Sequence, residues 1–319
     1  MTDFEPATVP TLYFIGVTTG RSSIMRVFPL WAEALELGEC RIVGIDVPIH
    51  ADPEAYRAVV RFIKTDPLSL GALVTTHKID LFAAARDLFD DIEPMAATMG
   101  ELSCLSKRDG RLLATAKDPI SSGLALEAFL PPDHFARTGG ELFCMGAGGS
   151  TIAITWYLMR RDRAANRPAR VVVSNRSQPR LKSIERLHGE FDAGVPVDYV
   201  WAPDPADNDA LMAKLPPGSL VVNATGLGKD APGSPITDKA EFPDRGLAWD
   251  LNYRGDLVFL DQSNRQAAAK GLQVEDGWIY FVYGWTQVIA EVFGVDIPSS
   301  GPVIDRLSEL AGGARGKTP

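Results

Sequence analysis

The sequence has few of the residues, and none of the long apolar runs, that mark disulfide-rich, metal-binding or membrane-spanning proteins. Its 319 residues include three cysteines and four histidines, and Cys40, Cys104 and Cys144 lie far apart. An odd number of widely spaced cysteines does not build a disulfide framework, and without neighbouring histidines it does not predict a zinc site. The N-terminus lacks the basic start and apolar core of a secretory signal. We therefore expect a cytoplasmic protein with no metal and no membrane partner.

Positive charge is also in deficit. The chain has 32 lysines and arginines against 41 acidic residues, which gives a formal net charge of −9. Nucleic-acid binding needs a large positive surface, so we expect no nucleic-acid partner. Hydrophobic residues make up 45% of the chain, and its length suits two domains of ordinary size. A small molecule is the expected partner, and the chain is expected to be a monomer or a homodimer.

The first part of the chain alternates strand-like and helix-like segments. Strands are predicted at residues 11–17, 40–45 and 71–75, and helices at 24–37 and 56–65. This alternation predicts an α/β fold with a mostly parallel sheet. Asp109-Gly110 is a typical hairpin turn between strands at 102–105 and 112–115. A helix is predicted over 121–129, and two prolines end it. We place the boundary between the two domains near residue 120, before this helix.

A second alternating run begins at Glu141 and carries a glycine turn between a strand and a helix. The turn is Gly146-Ala147-Gly148-Gly149. Glycines let backbone N–H groups approach a pyrophosphate, and the helix N-terminus favours negative charge, so the run predicts a Rossmann-type, doubly wound nucleotide domain. A tight turn without a ligand is the alternative. The last residues, 312–319, are predicted to be a flexible tail.

The residues after the next strand indicate which dinucleotide binds. Asn175-Arg176-Ser177 and Arg180 stand where a dinucleotide fold contacts the adenosine ribose, and no acidic residue is present there. Guanidinium groups suit a 2′-phosphate, so NADP is favoured over NAD. A solvated basic turn is the alternative. Asn223-Ala224-Thr225 follows another strand and is predicted to line the nicotinamide half of the site, unless it is an ordinary turn.

The first domain contains polar residues suited to proton transfer. Thr75 and Lys78 follow a strand, and Asp118 ends another. A lysine can exchange a proton with a carbinol oxygen while a carboxylate orients it. Two solvated side chains that never meet are the alternative.

In combination these motifs resemble the shikimate and quinate dehydrogenase family, in the same order along nearly the whole chain. The matching segments are Gly71-Ala72-Leu73-Val74-Thr75-Thr76-His77-Lys78, Asp109-Gly110-Arg111-Leu112 leading to Asp118, Gly146-Ala147-Gly148-Gly149, Asn175-Arg176-Ser177, Asn223-Ala224-Thr225, Asp276-Gly277 and Gln287. Each motif is short, but the ordered set is specific.

The resemblance implies a role for each matching residue. Lys78 would be the general acid/base and Asp118 its partner. Substrate contacts would come from Ser22, Thr75, Ser103, Tyr253 and Gln287. NADP contacts would come from Gly146, Ala147, Gly148, Gly149, Asn175, Arg176, Ser177, Arg180, Asn223, Ala224, Thr225 and Gly277. Hydride would pass between NADP and a ring carbinol carbon of a shikimate- or quinate-like acid. Residues 1–120, completed by about 276–311, would form the substrate domain, and 121–275 the NADP domain.

The chain also departs from the family pattern. Hydrogen-bonding residues of the family are replaced at Ile24, Leu73, Ser103, Ala116 and Lys117, which predicts that shikimate itself is not the preferred substrate. Lys117 is a new cation that either binds an anionic group or is solvated. Aromatic residues between 278 and 285 either line a ligand or form core.

Two alternative functions stay open. The first is a regulatory protein that senses a nucleotide or metabolite on the same scaffold. The second, glutamyl-tRNA reductase, is disfavoured by the acidic composition and by the lack of a suitable N-terminal cysteine.

Overall fold

The computed structural model describes residues 4–191, 194–229 and 231–314. The chain divides into two compact units, the first made of the residues up to Asp118 together with those from Val282 onward, and the second of Pro119–Phe281. Each unit contains one six-stranded sheet flanked by helices. The α/β class predicted from the sequence is therefore confirmed, while the assignment of a substrate and a cofactor to the two units stays a prediction.

The sheet of the first unit is mostly parallel, with one antiparallel hairpin. Its elements are β1 (Thr11–Gly16), α1 (Ile24–Ala34), β2 (Arg41–Asp46), α2 (Pro53–Thr65), β3 (Ser69–Val74), α3 (Lys78–Ala85), β4 (Asp91–Ile92), α4 (Pro94–Met99), β5 (Cys104–Arg108) and β6 (Arg111–Thr115). The strand order is β2-β1-β3-β5-β6-β4, and only β5 runs antiparallel to its two neighbours. Buried aliphatic and aromatic side chains of β1, β3 and α2 form its core.

The predicted hairpin at Asp109-Gly110 joins β5 to β6. Both turn residues have positive φ, 51° and 75°, as a tight two-residue hairpin turn requires. The register pairs Cys104 with Thr115. The hairpin therefore brings the residues that follow β6 next to those that precede β5, and this places Asp118 beside the end of β3.

The second unit contains an entirely parallel sheet. Its elements are α5 (Asp118–Phe129), α6 (His134–Thr138), β7 (Leu142–Met145), α7 (Gly149–Met159), β8 (Val171–Asn175), α8 (Gln178–His188), β9 (Val197–Trp201), α9 (Pro205–Met212), β10 (Leu220–Asn223), β11 (Leu247–Asp250), α10 (Val258–Lys270) and β12 (Gln273–Glu275). Counted from β7, the order β9-β8-β7-β10-β11-β12 is 3-2-1-4-5-6. This order reverses between β7 and β10, and in such sheets ligands bind at the reversal, beyond the carboxyl ends of the strands.

The last two helices are α11 (Trp278–Phe293) and α12 (Pro302–Ala314). In the first unit the indole N–H of Trp31 on α1 donates to the carbonyl oxygen of Leu307 on α12 at 2.8 Å. Trp31 is fully buried, so this contact attaches the C-terminal helix to the first unit. Within the part of the chain that the structure describes, no helix is both long and apolar enough to cross a membrane.

Several helices differ in their bounds from the sequence expectation: α1 ends at Ala34 and not at residue 37, and α2 begins at Pro53 and not at residue 56. The helix predicted from residue 121 begins at Asp118. Residues 312–314, predicted as part of a flexible tail, form the last turn of α12, while residues 315–319 lie outside the described residues. The first turn of α5 contains Asp118 and Pro119, two residues that are favourable at a helix start, so the helix begins before Ser121.

A buried histidine ties three elements of the second unit together. His188, at the end of α8, lies 2.8 Å from the Thr155 hydroxyl on α7 through Nε2 and 2.8 Å from the Tyr199 hydroxyl on β9 through Nδ1. Burial lowers the pKa of His188 to about 4. The folded protein therefore holds this imidazole neutral, whereas the unfolded chain protonates it near pH 6.5.

The second unit should consequently lose stability in acid through His188. Its contribution is fully present above pH 6.5 and is lost as the pH falls towards 4. The loss at pH 4 should be about 3 kcal/mol. Denaturant unfolding at pH 7 and pH 4 should show a smaller difference for His188→Gln than for the wild type. His50→Gln is the control, because the His50 side chain is 68% exposed. Equal acid sensitivity in His188→Gln and the wild type would contradict the assignment.

Candidate functional site

Lys78 and Asp118 form a largely buried ion pair in the first unit. Lys78 is the first residue of α3 and Asp118 the first residue of α5. The Lys78 ammonium donates to Oδ2 of Asp118, and their side chains are 18% and 10% exposed. The structure thus brings together the two residues expected to transfer a proton.

A short, strained turn sets the position of Lys78. Only Thr75, Thr76 and His77 separate the end of β3 from α3. The His77 N–H donates to the Thr75 carbonyl oxygen at 2.5 Å, and Thr76 between them has φ +56°. A β-branched residue rarely adopts this left-handed conformation. The Thr75 N–H donates to the Ile15 carbonyl oxygen at 3.0 Å, which attaches the turn to β1.

The charge state of Lys78 follows from its surroundings. Burial lowers the pKa of Lys78, but the charges of Asp118 and Glu101 and the hydrogen bond to Asp118 outweigh that effect and raise the pKa above its usual value. Lys78 is therefore an ammonium at neutral pH. In this form it is a proton donor held in place by a carboxylate.

Three of the predicted substrate residues have uncommitted side chains. Ser22 is buried between a 3₁₀ turn and α1, Thr75 is half-buried after β3, and Gln287 is half-buried on α11. None of these side chains forms a hydrogen bond with another described residue. Their polar groups are therefore available to a ligand, as the prediction requires.

Ser103 and Tyr253 are engaged in other contacts. The Ser103 hydroxyl accepts a hydrogen bond from the Lys117 N–H at 2.7 Å, which fixes the residue preceding Asp118. Tyr253 belongs to the second unit. There its ring packs against Trp278 and Phe281, with centroids 5.3 and 5.0 Å away.

The new cation Lys117 is neither solvated nor free to hold an anion. Its ammonium donates to Oε2 of Glu291 on α11 at 3.0 Å. Glu291 also accepts from the Ser106 hydroxyl at 3.2 Å. Neither the role of Glu291 nor the pairing of Lys117 was visible in the sequence, because the two residues are 174 positions apart.

The glycine turn of the second unit has the geometry of a nucleotide turn. It follows β7 and leads into α7, whose N-cap is Gly148. Gly146 has φ +113°, and a Cβ there would lie 2.7 Å from the Ala224 carbonyl oxygen. At Gly148, by contrast, a Cβ would meet no atom within 4 Å. The backbone conformation and the close contact thus require a glycine at position 146. At Gly148 the backbone leaves open space in front of the N-terminus of α7, and Ala147 and Gly149 flank this position.

The basic segment after β8 is presented to solvent by an Asx turn. Oδ1 of Asn175 accepts a hydrogen bond from the Ser177 N–H at 2.8 Å. The Arg176 and Arg180 side chains are exposed, and neither forms an ion pair or a side-chain hydrogen bond with another described residue. Two guanidinium groups therefore project at the carboxyl end of β8 with their donors available.

Buried amides fix the loops after β10 and β11. Asn223 donates to Oδ1 of Asp250 at 3.0 Å and accepts from the backbone and hydroxyl of Thr225 at 3.0 and 2.6 Å. Ala224 N–H donates to the Met145 carbonyl oxygen at 2.9 Å, so this loop lies against the glycine turn.

Gly277 is also constrained by packing. A Cβ on it would lie 2.0 Å from the Leu251 carbonyl oxygen, and its N–H donates to the Asn252 carbonyl oxygen at 3.1 Å. Asn223 and Gly277 thus have clear structural roles in the second unit, and their predicted contact with a cofactor stays a prediction.

The aromatic segment divides into two groups. Tyr283 and Trp285 are core residues of the first unit, and Trp285 packs edge-on against Phe14 at 4.9 Å. In the second unit Trp278 and Phe281 are stacked, with centroids 4.9 Å apart and planes 17° apart. Core packing therefore explains the first group, and the Trp278–Phe281 stack retains a partly exposed aromatic surface.

Sequence reasoning missed one ionisable residue beside the pair. Glu101 is 1% exposed, and it acts electrostatically on both Lys78 and Asp118. The one sign of Glu101 in the sequence is its charge, since it stands between Gly100 and an apolar strand.

Comparison with known proteins places the chain in a family. The sequence matches no family model. It is 28% identical over 303 residues to the shikimate dehydrogenase (NADP(+)) of Sphingopyxis alaskensis, which covers 93% of this chain and 95% of that protein. It is 31% identical over 226 residues to the corresponding enzyme of Rhodopseudomonas palustris, 70% of each chain.

A solved structure agrees with this placement. The shikimate 5-dehydrogenase of Thermus thermophilus, solved in complex with NADP(H) and shikimate, matches with a TM-score of 0.67 at 25% identity, over 95% of this chain and 99% of that one. The resemblance drawn from the order of the motifs is confirmed, and the chain belongs to the shikimate dehydrogenase family.

Proposed function

We propose that this protein is an NADP-dependent oxidoreductase that interconverts a ring hydroxyl and a ketone of a hydroxylated cyclic acid, with Lys78 as general acid/base and Asp118 as its partner. The observation that carries the proposal is the buried Lys78–Asp118 pair. A buried ion pair is costly unless both charges are well matched. Its position shortly after the ends of β3 and β6, on the same turn as the side chain of Thr75, which forms no hydrogen bond with another described residue, favours a chemical role over a structural one.

The charge state of the pair defines the proton step. In ketone reduction the Lys78 ammonium donates a proton to the carbonyl oxygen and becomes an amine, and the product is an alcohol. Asp118 holds the Lys78 side chain in one position and offsets its charge. In alcohol oxidation the neutral amine accepts the hydroxyl proton. Because the pKa of Lys78 is raised, the oxidation rate should increase with pH.

The second unit has features that fit NADP. When bound, NADP exchanges a hydride with the substrate carbon. The reversal of strand order between β7 and β10, the open backbone at Gly148 and the N-terminus of α7 would hold the pyrophosphate. The uncommitted guanidinium groups of Arg176 and Arg180 would hold the 2′-phosphate.

The substrate is proposed to differ from shikimate. Ile24, Leu73 and Ala116, which replace hydrogen-bonding residues of the family, are buried apolar residues here. Ser103 is committed to the Lys117 N–H. A hydroxyl left without a partner on binding costs about 1–3 kcal/mol. A ligand with fewer hydroxyls, or with them placed differently, therefore suits these residues better.

A substrate panel tests the proposed function. The purified protein is mixed with NADP+ or NAD+ and with shikimate, quinate, aminoshikimate or related cyclic polyols, and formation of the reduced nicotinamide is followed by its absorbance. We expect turnover with NADP+ on at least one compound, and slower turnover of shikimate than of the best one. NADP binding without turnover of any compound would instead support a sensing role, and equal turnover of shikimate would refute the shift in specificity.

Replacing Arg176 with alanine should weaken NADP binding far more than NAD binding. The variant loses charge-assisted hydrogen bonds to the 2′-phosphate, each worth about 1.5–3 kcal/mol. The Kd for NADP should therefore rise about 10- to 100-fold, while the Kd for NAD changes less than about twofold. Isothermal titration calorimetry gives both values.

The matched control is Arg186→Ala. Arg186 is exposed in the last turn of α8, so its replacement removes the same charge from the same unit at a distance from the segment that follows β8. If both variants weaken NADP equally, general electrostatics and not a phosphate contact explains the loss. Tighter binding of NAD than NADP by the wild type would contradict the cofactor assignment.

A further inference from the structure

Glu101 is a buried carboxyl that forms no hydrogen bond. It is 1% exposed, and neither Oε1 nor Oε2 has a hydrogen-bond partner among the described residues. Buried carboxylates in folded proteins are almost always paired or hydrogen-bonded, because an isolated buried charge is expensive. An acidic side chain kept in this state therefore calls for a functional reason.

The backbone around Glu101 is hydrogen-bonded to both sides of the catalytic pair. The Leu102 N–H donates to the carbonyl oxygen of Lys78 at 3.4 Å. The Ser103 hydroxyl accepts from the Lys117 N–H, one residue before Asp118, at 2.7 Å. Glu101 follows Gly100, whose left-handed conformation ends α4. The chain thus inserts Glu101 between the segments that carry Lys78 and Asp118.

Two carboxyl groups therefore act on one ammonium: Asp118 by direct contact and Glu101 by its charge alone. Lys78 at the start of α3 attracts the Glu101 carboxylate and Asp118 at the start of α5 repels it, and these are the two charged groups that act on it. Lys117, the cation that directly precedes Asp118, is paired with Glu291. Burial, followed by the charge of Asp118, raises the pKa of Glu101 to about 7.

We propose that Glu101 is a positioning residue for Lys78: its carboxylate holds Lys78 in the ammonium form that protonates a carbonyl oxygen, and its protonation withdraws that support. This inference rests on the proposed acid/base role of Lys78. It assigns to Glu101 no contact with substrate, since both of its oxygens are inaccessible. Glu101 acts only through the proton affinity of Lys78, and so it sets the pH range in which the pair donates or accepts a proton.

Glu101→Gln tests the inference, since it keeps the size of the side chain and removes its charge. The titration of the Lys78 ammonium is followed by NMR on protein labelled with ¹³C at the lysine ε-carbon, with Lys78→Arg to assign the signal. Loss of a neighbouring carboxylate should lower the Lys78 midpoint by about one pH unit. The rising limb of kcat/KM for alcohol oxidation should move to lower pH by the same amount.

Two further variants keep the outcome clear. Glu101→Ala, which removes the carboxyl group altogether, should shift the midpoint in the same direction even if the glutamine variant folds poorly. Glu291→Gln removes a nearby carboxylate that pairs with Lys117, and it should leave the Lys78 midpoint in place. An unchanged midpoint in both Glu101 variants, or an equal shift in Glu291→Gln, would overturn the inference.

The NMR titration needs no substrate, so the two proposals fail in different ways. A shifted Lys78 midpoint without turnover of any compound would refute the proposed function and leave the Lys78–Glu101 coupling intact. Turnover that depends on Lys78, with an unshifted midpoint, would refute the role of Glu101 alone.

Discussion

Lys78→Ala should lower kcat by about 10³-fold with the best substrate and change the Kd for NADP by less than about twofold. The variant removes the group that we propose donates a proton to the carbonyl oxygen, and Asp118 cannot replace it as an acid while it stays ionised. The expected split between turnover and cofactor binding arises because Lys78 and the glycine turn belong to different units. Stopped-flow single-turnover assays and calorimetry measure the two quantities.

Two other lysine variants distinguish the loss of proton transfer at Lys78 from the loss of its charge and from the general effect of breaking an ion pair in this unit. Lys78→Arg keeps the positive charge beside Asp118, but a guanidinium does not release its proton in this pH range, so its kcat should also fall about 100-fold or more. Lys64→Ala breaks an ion pair with Asp90 in the same unit, at 2.9 Å, and should keep wild-type turnover. A Lys78→Ala enzyme that retains a tenth of the wild-type kcat would exclude Lys78 as the proton-transfer group.

Gly146→Ala should destabilise the protein by about 2–5 kcal/mol, whereas Gly148→Ala should spare stability and weaken NADP binding. Gly146 has φ +113°, and a Cβ there would lie 2.7 Å from the Ala224 carbonyl oxygen. Gly148 has an extended backbone, with no atom within 4 Å of a Cβ. A methyl group at Gly148 therefore projects into open space, which the pyrophosphate occupies in the proposed NADP complex.

Chemical denaturation and calorimetry on both variants distinguish the two roles. The expected pattern is a lower midpoint for Gly146→Ala alone and at least a tenfold higher Kd for NADP in Gly148→Ala. Gly139→Ala is a useful reference, since Gly139 also has positive φ, 64°, but no nearby atom. If Gly146→Ala costs no more than Gly139→Ala, the close approach to Ala224 is unimportant. If Gly148→Ala binds NADP normally, the open backbone does not face the cofactor.

The parts of the fold set by local chemistry were predictable from sequence. The Asp109-Gly110 turn and the glycine turn at Gly146 both have the positive φ values that their residues predict. The parallel strands of the second unit followed from their apolar runs. The bounds of α11 were harder to predict, because no local signal in the aromatic segment after Gly277 shows that this helix already begins at Trp278.

The candidate site divides in the same way. Lys78 and Asp118 were found because they are polar residues shortly after predicted strands and because the order of the motifs around them resembles a known family. Glu101 and Glu291 were missed because their importance depends on burial and on partners distant in sequence. A glutamate after a glycine is usually solvated, and only the packed structure shows that this one is buried, with no donor among the described residues.

The three-residue turn that precedes Lys78 determines when the entropy of this side chain is lost. A free lysine has about 2 kcal/mol of rotamer entropy. Here the turn at Thr76, the burial of the side chain and the bond to Asp118 confine Lys78 before any ligand arrives. Folding thus bears the cost of ordering the proton donor, and a substrate can use its own binding free energy to orient its ring.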